Sequence, residues 1–159
     1  SEILGPNHQD QLDEFVKLFI EMHDEHAIKN TQPYPDVIET LKNLNAKKVL
    51  MAIATNKRHA PTIKLINHYN WHDYFICIRC SDDNRIIRNK DEMIQNILNY
   101  DKNFNKAFFI GDTVNDGLSA NLNKLTFIKA NYGYGRDQDW VRVNVEKSIN
   151  NLSEILKFI

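Results

Sequence analysis

The chain has 159 residues, 42% hydrophobic and 26% charged, with a formal net charge of −1. That length supports one domain with a real core, burying roughly 70% of its unfolded surface, and the composition excludes a disordered chain. The charge balance gives no nucleic-acid footprint. No apolar run nears the roughly 18 residues of a membrane span and no signal-peptide pattern is present, so the expectation is a soluble cytoplasmic protein with neither nucleic-acid nor membrane partners.

Residues 8 to 28 place Leu12, Phe15, Val16, Phe19 and Met22 at helical spacing, which predicts an amphipathic helix. His23 and His26 stand on it among Asp24 and Glu25, as a solvated polar face. Gln32-Pro33-Tyr34-Pro35 is a stiff connector. Pro35 suits a helix start, and Val37, Ile38, Leu41 and Leu44 form the next apolar stripe. Lys48 to Ala54 is a short apolar run, read as a buried strand that ends at Thr55-Asn56-Lys57. A helix is predicted from about Ala60, with Pro61 in its first turn.

Tyr74 to Cys80 is the next strand. It contains Cys77 and Cys80, a C-x-x-C spacing that invites a zinc or redox reading. Residues three apart on a strand face opposite ways, so two thiols in or near the core are the better account of that pair. Lys90 to Asn99 is predicted helical, Lys106 to Ile110 a strand, Asn115 to Leu122 a helix and Leu125 to Ala130 a strand. Tyr132-Gly133-Tyr134-Gly135 is a loop, and Leu152, Ile155, Leu156 and Ile159 suggest a closing helix. Short apolar strands alternating with helices predict an α/β fold, a Rossmann-like parallel sheet with helices on both faces.

Residues 108 to 117 read Phe-Phe-Ile-Gly-Asp-Thr-Val-Asn-Asp-Gly. A buried strand there ends in an acidic loop, where ligands of parallel sheets bind. Asp112 and Asp116 suit a hard divalent cation such as Mg²⁺. An ordinary strand-to-helix turn with Asp at the N-cap is the alternative. Two further polar positions fall in order before this loop: Thr55 after the first strand and Lys90 at a helix start. A phosphate monoester calls for such groups. A hydroxyl and backbone amides, as at Thr55 and Asn56, bind its oxygens. A lysine offsets its charge, and a carboxylate pair holds the metal.

In this order the residues resemble the second, third and fourth motifs of the haloacid dehalogenase (HAD) superfamily, and phosphoglycolate phosphatase-like members in particular. Pro-Tyr-Pro-x-Val at Pro33 to Val37, Ala-Thr-Asn-Lys at Ala54 to Lys57, and Tyr132 to Gly135 carry the closer likeness. The resemblance implies a Mg²⁺-dependent phosphomonoester hydrolase acting on a small phosphorylated metabolite. It makes Thr55 and Lys90 catalytic, Thr55, Asn56 and Lys90 phosphate-binding, and Asp112 and Asp116 metal ligands. Asp91 follows Lys90 where the family commonly has proline, and Arg88 is a rival cation.

The family's Asp-x-Asp-Gly-Thr motif, which carries the aspartate nucleophile, does not occur in this sequence. In the family mechanism that aspartate attacks phosphorus, and water then hydrolyses the aspartyl-phosphate. Residues 1–32 then read as the remnant of a helical cap, and 33–159 as a HAD-like core lacking its first strand. Such a chain is expected to be inactive alone. The nucleophile would come from a missing N-terminal segment or a second chain. A non-catalytic Mg²⁺- or phosphate-binding remnant and a receiver-type signalling domain are the competing readings. The family's first strand lies between the strands ending at Thr55 and Gly111. The expectation is therefore that this gap is not left open: either another segment fills it or the flanking strands close up.

Overall fold

The computed structural model describes residues 9–83, 88–100 and 106–159. The first helix, α1 (Gln9–Asn30), runs into the proline connector. It packs on α3 (His59–His68), and the Tyr69 hydroxyl donates to the Thr31 carbonyl. Phe15, Leu18, Phe19 and Met22 on α1 are exposed. The side chains of His23 and His26 lie outside the described residues.

Helix α2 (Val37–Ala46) buries Thr40, Leu41 and Leu44. It starts two residues after Pro35, because Asp36 takes the N-cap in a left-handed conformation, φ 63°. Asp is among the few residues that tolerate that region. Its side chain accepts from the Ser153 amide (3.1 Å) instead of capping its own helix.

Five strands follow, all parallel where they pair: β1 (Met51–Thr55), β2 (Phe75–Cys80), β3 (Phe108–Gly111), β4 (Thr126–Ala130) and β5 (Lys147–Ile149). The α/β class and the mainly parallel order match expectation. Several ends shift: the strand read from Lys48 begins at Met51, and that read from Tyr74 begins at Phe75 after a 3₁₀ turn. Strand β5 escaped the sequence reading. The closing segment Leu152–Lys157 is a 3₁₀ helix, not an α-helix.

The strands form two sheets, β1–β2 and β3–β4–β5. Between β1 and β3 runs a groove of about 390 Å³. It is lined by both strands, by Leu41 and Leu44 of α2, by Ile94 and Ile97 of α4 (Lys90–Tyr100), and by Leu152 and Ile155 of the closing helix. Among the described residues no strand lies in it. Of the two expected outcomes, the closing-up of the flanking strands is thus corrected: among the described residues they stay apart. The reason lies in solvent access. A strand edge is costly when its N–H and C=O groups are buried without partners, but water satisfies an open one. All four residues of β3 are only half-buried, and Ala52 in β1 is exposed.

The sheets are held together by the layers above and below them. Leu44, Ile128, Ile149 and Ile155 form one apolar cluster, and Met51 from β1 and Phe108 and Ile110 from β3 pack on it. Phe109 faces the other way, toward Ala120, Phe127 and Val143, as strand alternation requires. On that second face α4 packs against β1, β2 and α5 (Val114–Leu122).

Ile155, only 1% exposed, joins the two sheets through the first cluster. Ile155→Ala should lower stability by about 2–5 kcal/mol. Val141→Ala, at a position 83% exposed, should stay within about 0.5 kcal/mol. Urea unfolding of the two variants checks both.

Candidate active site

Thr55 ends β1, Lys90 opens α4, and Asp112 and Asp116 flank the turn from β3 into α5. The chain reaches these points from two different sheets, and Lys90 brings them together. Its ammonium donates to the Ala54 carbonyl (3.1 Å), next to Thr55, and pairs with Asp116 Oδ1 (3.1 Å). Both charged side chains are about nine-tenths buried, 11% and 10% exposed. The rival cation is elsewhere: Arg88 donates to the Asp83 carbonyl beyond the end of β2.

Thr55 Oγ1 accepts from the Lys57 amide (3.1 Å), so the chain folds tightly around the hydroxyl. Asn56 sits in that turn, exposed.

The two aspartates differ. Asp116 Oδ2 accepts from the Thr113 hydroxyl (2.7 Å), the Thr113 amide (3.1 Å) and the Asp112 amide (3.3 Å). Thr113 Oγ1 in turn accepts from the Asp116 amide, completing a reciprocal cap on α5. With Oδ1 on Lys90, both oxygens of Asp116 are engaged. Asp112 Oδ2 accepts from the Tyr134 amide (2.7 Å). The Tyr132–Gly135 loop lies directly on Asp112. A Cβ at Gly133 would sit 2.1 Å from the Asp112 Cβ, and one at Gly135 would sit 2.0 Å from its carbonyl oxygen. Only glycine permits that approach.

Two tyrosines flank the acidic loop, and sequence reasoning did not assign them to the site. Tyr34 and Tyr132 meet edge to face at 4.9 Å. Burial, then Asp36 and Asp112, push the Tyr132 phenol up to about 12, so it stays neutral. Burial, then Tyr134 and Asp112, also raise Tyr34. The paired Tyr-Gly repeat was the available signal, since glycines two apart allow a loop to lie flat on another backbone.

The matching family is the haloacid dehalogenase-like hydrolases, whose family model covers residues 2–130. The chain belongs to this family. Curated relatives include a phosphoglycolate phosphatase of Psychrobacter arcticus, 24% identical over 95% of this chain and 66% of its own length. Another, from Agrobacterium fabrum, is 26% identical over 77% of this chain and 53% of its own length. The chain thus spans between half and two thirds of these relatives. Among solved structures, a predicted phosphoglycolate phosphatase of Haemophilus somnus superposes with a TM-score of 0.82 at 20% identity. That superposition covers 94% of this chain and 67% of the other. A haloacid dehalogenase-like hydrolase of Streptococcus pneumoniae gives 0.78 at 22% identity, covering 94% and 70%. These likenesses show the Rossmann-type HAD fold.

Within that fold the Lys90–Asp116 pair has a testable weight. Lys90→Met leaves Asp116 buried without its cation, which should cost about 3–5 kcal/mol. Adding Asp116→Asn should recover part of it, a coupling of roughly 0.5–3 kcal/mol by double-mutant cycle. Strictly additive effects would mean that the link does not hold in solution.

Proposed function

We propose that these 159 residues are the larger part of a Mg²⁺-dependent phosphomonoester hydrolase of the phosphoglycolate phosphatase type. The nucleophilic aspartate would be carried by an extended apolar segment that these residues do not supply. The observation that carries the reading is the placement of Lys90, which touches the Thr55 end of one sheet and the acidic loop of the other.

The donor set fits the cation. Asp112 is a hard oxygen ligand at a strand's carboxyl end, held by the Tyr134 amide through one oxygen and open through the other. Mg²⁺ prefers such oxygens and keeps much of its water; when bound it would neutralise charge on the phosphoryl group. Asp112 would ligate directly. Asp116, with both oxygens engaged, would act through an ordered water and by fixing Lys90. Thr55 Oγ1 and the Asn56 amide would donate to the non-bridging oxygens of phosphate, and Lys90 would offset their charge.

The groove between β1 and β3 supports the second half of the reading. Apolar side chains from both helical layers line it, so an occupant would be apolar on both faces, like any strand within a parallel sheet. Residues 1–32 then represent the end of a helical cap, and the setting would be cytoplasmic. The substrate would be a small phosphorylated metabolite, phosphoglycolate by similarity to the curated relatives. A non-catalytic remnant is the second reading, favoured by the missing Asp-x-Asp motif.

Two measurements test this. Calorimetric titration of the chain with Mg²⁺ should show weak binding, reduced about tenfold or more in Asp112→Asn; tight binding indifferent to that change would refute the assignment. Phosphatase assay should find no turnover by the chain alone. Turnover should appear when a synthetic apolar strand ending in Asp-x-Asp is added, and vanish when proline breaks that strand. Binding of the strand with no turnover on any phosphomonoester would favour the remnant.

A further inference from the structure

At the outer end of β2 the fold assembles a second group of ligating side chains, independent of the acidic loop. His59 opens α3, Cys80 ends β2, and Asp83 lies three residues beyond. His59 Nδ1 is 3.1 Å from Asp83 Oδ1. One ring nitrogen of His59, one carboxylate oxygen of Asp83 and the Cys80 sulfur all lie within 4.8 Å of one another. Ligands of a tetrahedral Zn²⁺ stand roughly 2.0–2.3 Å from the ion, hence about 3.3–3.7 Å from each other. The His59–Asp83 separation of 3.1 Å lies close to that range.

The surroundings hold the ligands in place. Asp83 Oδ2 accepts from the Cys80 amide (2.9 Å) and the Asp83 carbonyl accepts from Arg88, so this carboxylate presents Oδ1 to His59. The neighbouring Asp82 accepts from the His59 amide (2.6 Å) and anchors the start of α3. Cys80 is fully buried, while the His59 side chain is 56% exposed, so the imidazole is the side of the cluster open to solvent. Cys77 takes no part, because it stands three positions back on the strand.

We propose that His59 Nδ1, Cys80 Sγ and Asp83 Oδ1 form a site for a borderline-soft divalent cation, Zn²⁺ in the first place, with water as fourth ligand. The donors select against Mg²⁺, which takes oxygen ligands, and favour an ion that accepts thiolate and imidazole. One thiolate and one carboxylate neutralise the ion's charge in a half-buried setting. Its effect is structural: it staples the turn after Thr55 to the loop after β2. Binding displaces the thiol proton of Cys80 into solvent.

Co²⁺, which gives thiolate-ligated sites a near-ultraviolet charge-transfer band, is the probe, added to the whole chain with excess Mg²⁺ present. The band should appear in the wild type and in Cys77→Ser, disappear in Cys80→Ser, and be displaced by Zn²⁺. Cys80 is buried, and its replacement risks the fold, so the decisive variant is His59→Ala at an exposed position, where affinity should fall at least about tenfold. No band in the wild type, a band that survives Cys80→Ser, or unchanged affinity in His59→Ala would each overturn the proposal. None of these results touches the phosphatase reading, which depends on Asp112 and Lys90.

Discussion

The arrangement of the site end of the molecule depends on one buried ammonium. Lys90 stands at the start of α4, between a backbone carbonyl of β1 and a carboxylate that follows β3. No ladder hydrogen bonds connect these strands among the described residues. A charge nearly removed from water is costly unless paired and hydrogen-bonded, and Lys90 has both kinds of partner. Its desolvation is offset only when the ends of β1 and β3 are both in place. The same interaction therefore fixes the position of Thr55 relative to the acidic loop.

At the other end of the groove the link is apolar and less directional. Met51 and Phe108 meet the cluster formed by Leu44, Ile128, Ile149 and Ile155. Such packing tolerates sliding and rotation better than a charge-assisted hydrogen bond does. The two sheets are thus joined by a polar clamp at their carboxyl ends and by side-chain burial along their lower halves. Between these the strand edges face an open channel. Half-exposure of Phe108, Phe109 and Ile110 departs from what an apolar run of this kind predicts, and the channel is the cause.

The order of strand ends, the acidic loop and the lysine were legible because each is a local pattern: an apolar run, a glycine, then a charge. What the sequence hid was long-range. Nothing near Lys90 announces that its partners are Ala54 and Asp116. Strand β5 is three residues long with two exposed, so it shows no alternation from which to read it. The closing segment has helical apolar spacing, yet it forms a 3₁₀ helix. The cysteine pair was rightly separated by strand geometry. The actual neighbours of Cys80, His59 and Asp83, come from the start of α3 and from a turn, and C-x-x-C spacing says nothing of them.

Asp112 and Asp116 show how environment divides two identical side chains. On the sequence both are expected to serve a cation, Asp112 directly and Asp116 directly or through a bound water. In the fold Asp116 sits in the first turn of α5, buried, with its carboxylate accepting from the amides of Asp112 and the N-cap Thr113. Those donors and Lys90 consume its acceptor capacity. Asp112 precedes the helix, outside that shell. Its side chain is constrained instead by the glycine-bearing loop laid against it, which supplies one amide and excludes any larger residue. A carboxylate saturated by fixed donors resists recruitment by a cation, since ligation would strip a buried lysine of its counter-charge. A carboxylate with one free oxygen at the mouth of a loop has no such penalty. Asp116 therefore shapes the loop and orients Lys90, and under the proposed function a hard cation would find its ligand at Asp112.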